Sequence, residues 1–128
     1  MKNEYIAGDL VKFATNTYTI VNFEENFLHN KICYAMISTN STKTAFVADR
    51  DILPIPLNTE ILEKNGWKKF KRPYSSDYCY RRKGYPTLNI RSDKEVYFHW
   101  GDHDKSITTV HQLQHLFFGL GLKSEMEV

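Results

Sequence analysis

His111 and His115 stand four residues apart in Val110-His111-Gln112-Leu113-Gln114-His115. On a helix that spacing places both imidazoles on one face, as a zinc ion requires. His99, Asp102, His103 and Asp104 lie just upstream and supply donors that could complete a coordination shell. Gln112 argues against a metal hydrolase, because it stands where zinc proteases of the His-Glu-x-x-His type carry their general base. The simpler expectation is that His111 and His115 flank an apolar stripe and hydrogen-bond locally. No metal and no cofactor is assigned.

Nucleophilic chemistry has less support. Cys33 and Cys79 form no Cys-x-x-Cys pair, and two cysteines are too few for a disulfide framework. Both fall in alternating patterns and read as buried free thiols of a reducing cytoplasm. There is no Gly-x-Ser-x-Gly elbow, no phosphate-cradling Gly-x-x-x-x-Gly-Lys-Ser/Thr loop and no paired His-x-Ser/Thr motif. The expectation is a protein without an active site.

A basic, aromatic stretch carries more. Between Lys64 and Lys83 eight basic residues face one acid, Asp77, a net +7 that leaves −5 for the rest of a chain whose total is +2. Lys68, Lys69, Lys71 and Arg72 meet Tyr74, Tyr78, Tyr80, Arg81, Arg82, Lys83 and Tyr85 across an expected hairpin, with Ser75-Ser76 at its turn. Cations neutralise phosphates and tyrosine rings stack on bases, the combination that single-stranded nucleic acid or a nucleotide calls for. Alternation assigns Tyr78, Tyr80 and Arg82 to one face and Arg81 and Lys83 to the other, so the two sets cannot all touch one flat ligand. The competing expectation is a solvated sheet face whose tyrosines pack inward. His111 and Gln112, in a helix's first turn, suit an anion or a nucleotide edge, although Gln112 equally completes a capping box with Thr109. The candidate ligand-binding set is therefore Lys69, Lys71, Arg72, Tyr78, Tyr80, Arg81, Arg82, Tyr85, His111 and Gln112.

The elements that must hold these groups are short. Leu10–Phe13, the alternation through Tyr18 and Ile20, that through Ile32, Tyr34 and Met36, and Thr44–Ala48 read as strands joined by tight turns. Four or five strands in about fifty residues suggest a small SH3-like barrel, which removes exposed edges by closing. Pro54 and Pro56 cannot donate to a ladder, so 51–57 is extended, as an edge or a linker. A short helix follows, capped by Asn58 or Thr59 and stopped by Asn65-Gly66. Four more strands are expected near 69–72, 78–83, 87–91 and 95–100, with a turn at Ser92-Asp93. A loop over 101–105 then leads to a helix whose apolar stripe is Val110, Leu113, Leu116, Phe117 and Leu120.

At 128 residues, 41% hydrophobic and 25% charged, the chain is an ordinary globular domain or two very small units. Aromatics reach 14%, which suits sheets. No stretch approaches the roughly 18 apolar residues of a membrane span, and the first residues lack the apolar run of a signal peptide. A cytoplasmic protein without membrane contact is expected.

Two segments carry a resemblance. Ile55-Pro56-Leu57-Asn58-Thr59-Glu60-Ile61-Leu62-Glu63-Lys64-Asn65-Gly66-Trp67 resembles a "PIPLT-x-EIL-x-K-x-GF" signature, and Val110-His111-Gln112-Leu113-Gln114-His115-Leu116-Phe117-Phe118 resembles a "VHQLQNLYFAL" signature. Both mark short uncharacterised proteins of Bacteroidetes and their phages or prophages. With Gly8-Asp9-Leu10-Val11, the resemblance spans most of the chain. It implies an origin and an architecture rather than an activity, and phage accessory proteins of this size often act by binding. Trp67 replaces the usual Phe and His115 the usual Asn, so a two-histidine clamp would not belong to the group.

The resulting expectation is an α+β protein: an SH3-like β-barrel over 1–53, then an antiparallel sheet packed with a C-terminal helix over 54–128. Its expected function is non-enzymatic binding of an anionic ligand, nucleic acid or a small nucleotide. The alternatives are a protein–protein adaptor or inhibitor of a host protein, and a small metal-dependent hydrolase. Homo-oligomerisation is left open.

Overall fold

The computed structural model describes residues 5–26, 31–71, 78–92, 95–100 and 103–128. The chain divides into two units, Met1–Ile55 and Pro56–Val128, two residues beyond the expected boundary. The first unit is an antiparallel sheet of β1 (Leu10–Phe13), β2 (Asn16–Asn26), β3 (Lys31–Ser38), β4 (Thr44–Ala48) and β5 (Leu53–Pro54) in the order β4-β3-β2-β1-β5. Alternation sends Val11, Tyr18, Ile20, Met36 and Val47 into one buried cluster with Tyr5, Tyr34 and Ile52. Tyr5 meets Tyr34 edge-on, with centroids 5.4 Å apart.

The expected closed barrel is not seen: among the described residues no ladder joins β4 to β5. β5 has two residues, Leu53 and Pro54, both paired with β1. Proline has no N–H to offer, so this strand retains little with which to bind a second neighbour. The extended edge expected around Pro54 is present.

The second unit contains α1 (Thr59–Lys64), β6 (Lys68–Lys71), β7 (Tyr78–Arg81), β8 (Leu88–Ser92), β9 (Glu95–Trp100), β10 (His103–Ile107) and α2 (Val110–Gly119). Its strands form an antiparallel meander, β10-β9-β8-β7-β6. β10 corrects the loop expected over 101–105. Its His103-Asp104-Lys105-Ser106-Ile107 has one apolar residue and therefore no hydrophobic alternation to betray a strand. Ser92, expected in the turn, is instead the last residue of β8 and pairs with Glu95, and Asp93 lies outside the described residues.

Both helices begin with a side-chain cap and end at a glycine. The Asn58 Oδ1 accepts the Ile61 N–H at 2.8 Å. Thr109 and Gln112 form a reciprocal capping box. At the other ends Gly66 (φ +87°) and Gly121 (φ +72°) adopt the left-handed conformation that reverses the chain. The Trp67 N–H then reaches the Leu62 carbonyl and the Leu122 N–H the Phe117 carbonyl, satisfying groups the helices leave open. Among the described residues no helix is long and apolar enough to cross a membrane.

Candidate functional site

The β6–β7 ladder decides how the basic residues are distributed. Lys68 pairs with Arg81, Lys69 with Tyr80, Phe70 with Cys79 and Lys71 with Tyr78. Side chains alternate across a strand, so Lys69, Lys71, Tyr78 and Tyr80 share one face while Lys68, Phe70, Cys79 and Arg81 share the other. The predicted split is therefore real, and the cations do not converge on one flat surface.

On the first face, Tyr78 is 38% exposed and the Lys69 ammonium sits 4.0 Å from its ring centroid. Tyr80 corrects the expectation of a tyrosine platform, because it is only 1% exposed. Its hydroxyl donates to the Glu63 carboxylate at 3.4 Å. Burial, with the Glu63 charge adding to it, raises its pKa above the ordinary 10. That ring belongs to the core, alongside buried Leu88 and Ile90.

On the second face Lys68 and Arg81 are exposed and stand directly opposite each other. Phe70, two residues along β6, is 43% exposed, and the Arg81 guanidinium lies 5.3 Å from its centroid. Two like charges in register are destabilising unless something anionic joins them. Phe70 is a residue that sequence reading passed over; only the register puts this phenyl ring on the face of Lys68 and Arg81.

Arg82 and Tyr85 lie beyond β7, with the guanidinium 4.5 Å from the ring centroid. Tyr85 closes an aromatic cluster: its ring meets Phe117 edge-on at 4.8 Å and Trp67 at 5.7 Å, and Trp67 stacks on Phe117 at 5.9 Å and 12°. Arg82 also lines a cleft of about 390 Å³ with Lys64, Asn65, Glu125, Met126 and Glu127. Arg72, Tyr74, Ser75 and Ser76 lie outside the described residues.

The helix residues of the candidate set, His111 and Gln112, both make contacts within the fold. His111 is 8% exposed, and burial followed by repulsion from His115 pushes its pKa down to about 4. The two imidazoles meet edge-on with centroids 5.6 Å apart. The Gln112 Oε1 accepts the backbone N–H groups of Thr108 at 2.9 Å and Thr109 at 3.3 Å, so its carbonyl serves the cap and not a ligand. Among the described residues no group of three or more His, Cys, Asp or Glu is placed to hold a metal. His99, Asp102, His103 and Asp104 are outside the side chains described. Cys33 is half-buried and Cys79 buried, both as free thiols.

Comparison with protein-family models, with curated proteins and with solved structures finds no match to this chain.

Proposed function

We propose that this chain is a non-enzymatic accessory binding protein of the phage or prophage type. Its second unit would bind an anionic, base-bearing ligand, single-stranded nucleic acid or a nucleotide, in the cytoplasm. The observation that carries the reading is the Lys68–Arg81 cross-strand pair beside exposed Phe70. A phosphate between the two cations turns repulsion into attraction, and a base can lie on the phenyl ring. Lys69, Lys71 and Tyr78 offer a second, separate cation–ring set on the opposite face. The order of the five strands in the first unit, with a 3₁₀ turn (Asp49–Asp51) before the edge strand, supports an SH3-like scaffold for that unit.

The test is fluorescence anisotropy with a labelled single-stranded oligonucleotide over a salt series. Each phosphate contact removed by Lys68→Ala or Arg81→Ala should lower the slope of log K against log salt by about 0.7. Binding that ignores salt, or no binding to the oligonucleotide or to a nucleotide, would end the proposal.

A protein–protein adaptor is the second reading, and the first unit favours it. Phe23 and Phe46 keep 57% and 60% of their surface exposed, and Val21, Ile37 and Leu53 are exposed too. Exposed aromatics at that level suit interface anchors. A stable stoichiometric complex with a host protein, lost on Phe46→Ala, would establish that reading.

A further inference from the structure

Beyond Gly121 the chain runs from Leu122 to Val128 with no helix or strand of its own. Among the described residues no backbone-to-backbone hydrogen bond reaches 123–128. The segment is held instead by side chains reading its backbone. The Tyr85 hydroxyl donates to the Lys123 carbonyl at 3.0 Å, and the Gln114 Nε2 donates to the Ser124 carbonyl at 3.1 Å. Asn65 does most: its Nδ2 donates to the Glu127 carbonyl at 2.7 Å while its Oδ1 accepts the Glu127 N–H at 2.8 Å. The same Nδ2 donates to the Ile61 carbonyl in the last turn of α1 at 2.7 Å, which fixes the amide before any segment arrives.

This is how an extended peptide is gripped without regard to its sequence. A primary amide matches the donor and acceptor of one peptide unit, and the bonds formed are the same for every residue type. Side chains then alternate: Leu122, Ser124, Met126 and Val128 are half-buried, while Lys123, Glu125 and Glu127 are exposed. Glu125 and Glu127 border the cleft that Lys64 and Arg82 line, so the charge of the segment opposes the charge of the wall. The grip consists of a few partly exposed bonds, the kind that opens locally long before the fold does.

We propose that this cleft beside α1 is a peptide-binding site. Its ligand is an extended segment of a partner protein with acidic residues alternating with small or apolar ones, and residues 122–128 are its resident, exchangeable occupant. The site is separate from the Lys68–Phe70–Arg81 face, so either can fail without the other.

The experiment uses the full chain and a fluorescein-labelled peptide of the sequence 121–128. Tethering gives the resident segment an effective concentration on the order of millimolar, so the unaltered protein binds the probe weakly. Glu127→Pro removes the N–H that the Asn65 Oδ1 accepts and should tighten probe binding at least tenfold. Adding Lys64→Glu, which removes the Lys64 Nζ donation to the Val128 carbonyl at 3.0 Å and reverses the charge of the wall, should cancel that gain. Affinity should return when both glutamates of the probe are replaced by lysine. Equal probe binding with and without Glu127→Pro, or no dependence on the charge swap, overturns the proposal. Concentration-dependent dimerisation of the Glu127→Pro protein in sedimentation also overturns it, because a second copy would then be the occupant.

Discussion

Lys68 lies directly across the β6–β7 ladder from Arg81, with both side chains exposed on the same face. Folding alone gains nothing from that arrangement, since like charges directly opposite on a sheet repel. The pair therefore links two measurable quantities, stability without ligand and affinity with it.

Those quantities should move in opposite directions. Lys68→Ala should leave the free protein as stable as before or more so, by a few tenths to about 1 kcal/mol at low salt, while weakening oligonucleotide binding. Arg81→Ala should stabilise less, because it also loses the guanidinium contact with Phe70. Urea denaturation beside anisotropy checks both. The stability difference should fade as salt rises, through screening. Loss of stability on Lys68→Ala would mean the side chain has a structural partner.

Stacking should divide the aromatics by face. Phe70→Ala should cost roughly 1–3 kcal/mol of binding if a base lies on the ring. Tyr80→Phe should leave affinity unchanged, because that ring is 1% exposed and its hydroxyl faces Glu63. The same titration with both variants decides the point; an affinity loss confined to Tyr80→Phe would reverse the assignment.

The sequence announced its local chemistry far better than its long-range pairings. Asn58, the Thr109–Gln112 box and Gly66 act within a few residues, and each stands where the pattern placed it. The strands Leu10–Phe13, Thr44–Ala48 and Glu95–Trp100 match their expected bounds, since period-two patterning is also local. What failed depended on distant partners. β10 is a strand because β9 is beside it, with Lys105 opposite Phe98. His111 and Gln114 are buried although the apolar stripe omitted them, and Leu116 and Leu120 of that stripe are only half-buried. Of the site, the alternation of Lys69 and Tyr78 against Arg81 was legible. Which tyrosines pack inward was not, and the partner of the Tyr80 hydroxyl, Glu63, is 17 residues away on α1. Nothing local marks Asn65 either, whose partner Glu127 is 62 residues distant.

Trp67 is 2% exposed, and its Nε1 has no hydrogen-bond partner among the described residues. A buried donor left unsatisfied costs about 1–3 kcal/mol. Trp67→Phe removes that cost together with part of the ring stacked on Phe117. The two terms oppose, so the substitution should change stability by less than about 1 kcal/mol, whereas Trp67→Ala should cost roughly 3–5 kcal/mol. Thermal unfolding of both variants tests this. A large loss in Trp67→Phe would reveal a partner for the indole.

His111 gives the protein an acid limit that can be assigned to one side chain. Its pKa falls from the ordinary 6.5 to about 4 on folding, first through burial and then through His115. Below pH 6.5 the unfolded chain takes up a proton there that the folded chain refuses. Stability therefore holds above pH 6.5 and is lost progressively as pH drops towards 4. The contribution is at most roughly 3.5 kcal/mol, at about 1.4 kcal/mol per unit. Unfolding free energies between pH 4 and 7 should consequently slope more gently in His111→Gln than in the parent protein, with carboxylate titration common to both. Parallel slopes would show that this imidazole is charged in the folded state. His115→Gln removes the repulsion and should move the His111 titration, followed by NMR, back towards 6.5 by a smaller step than burial imposes.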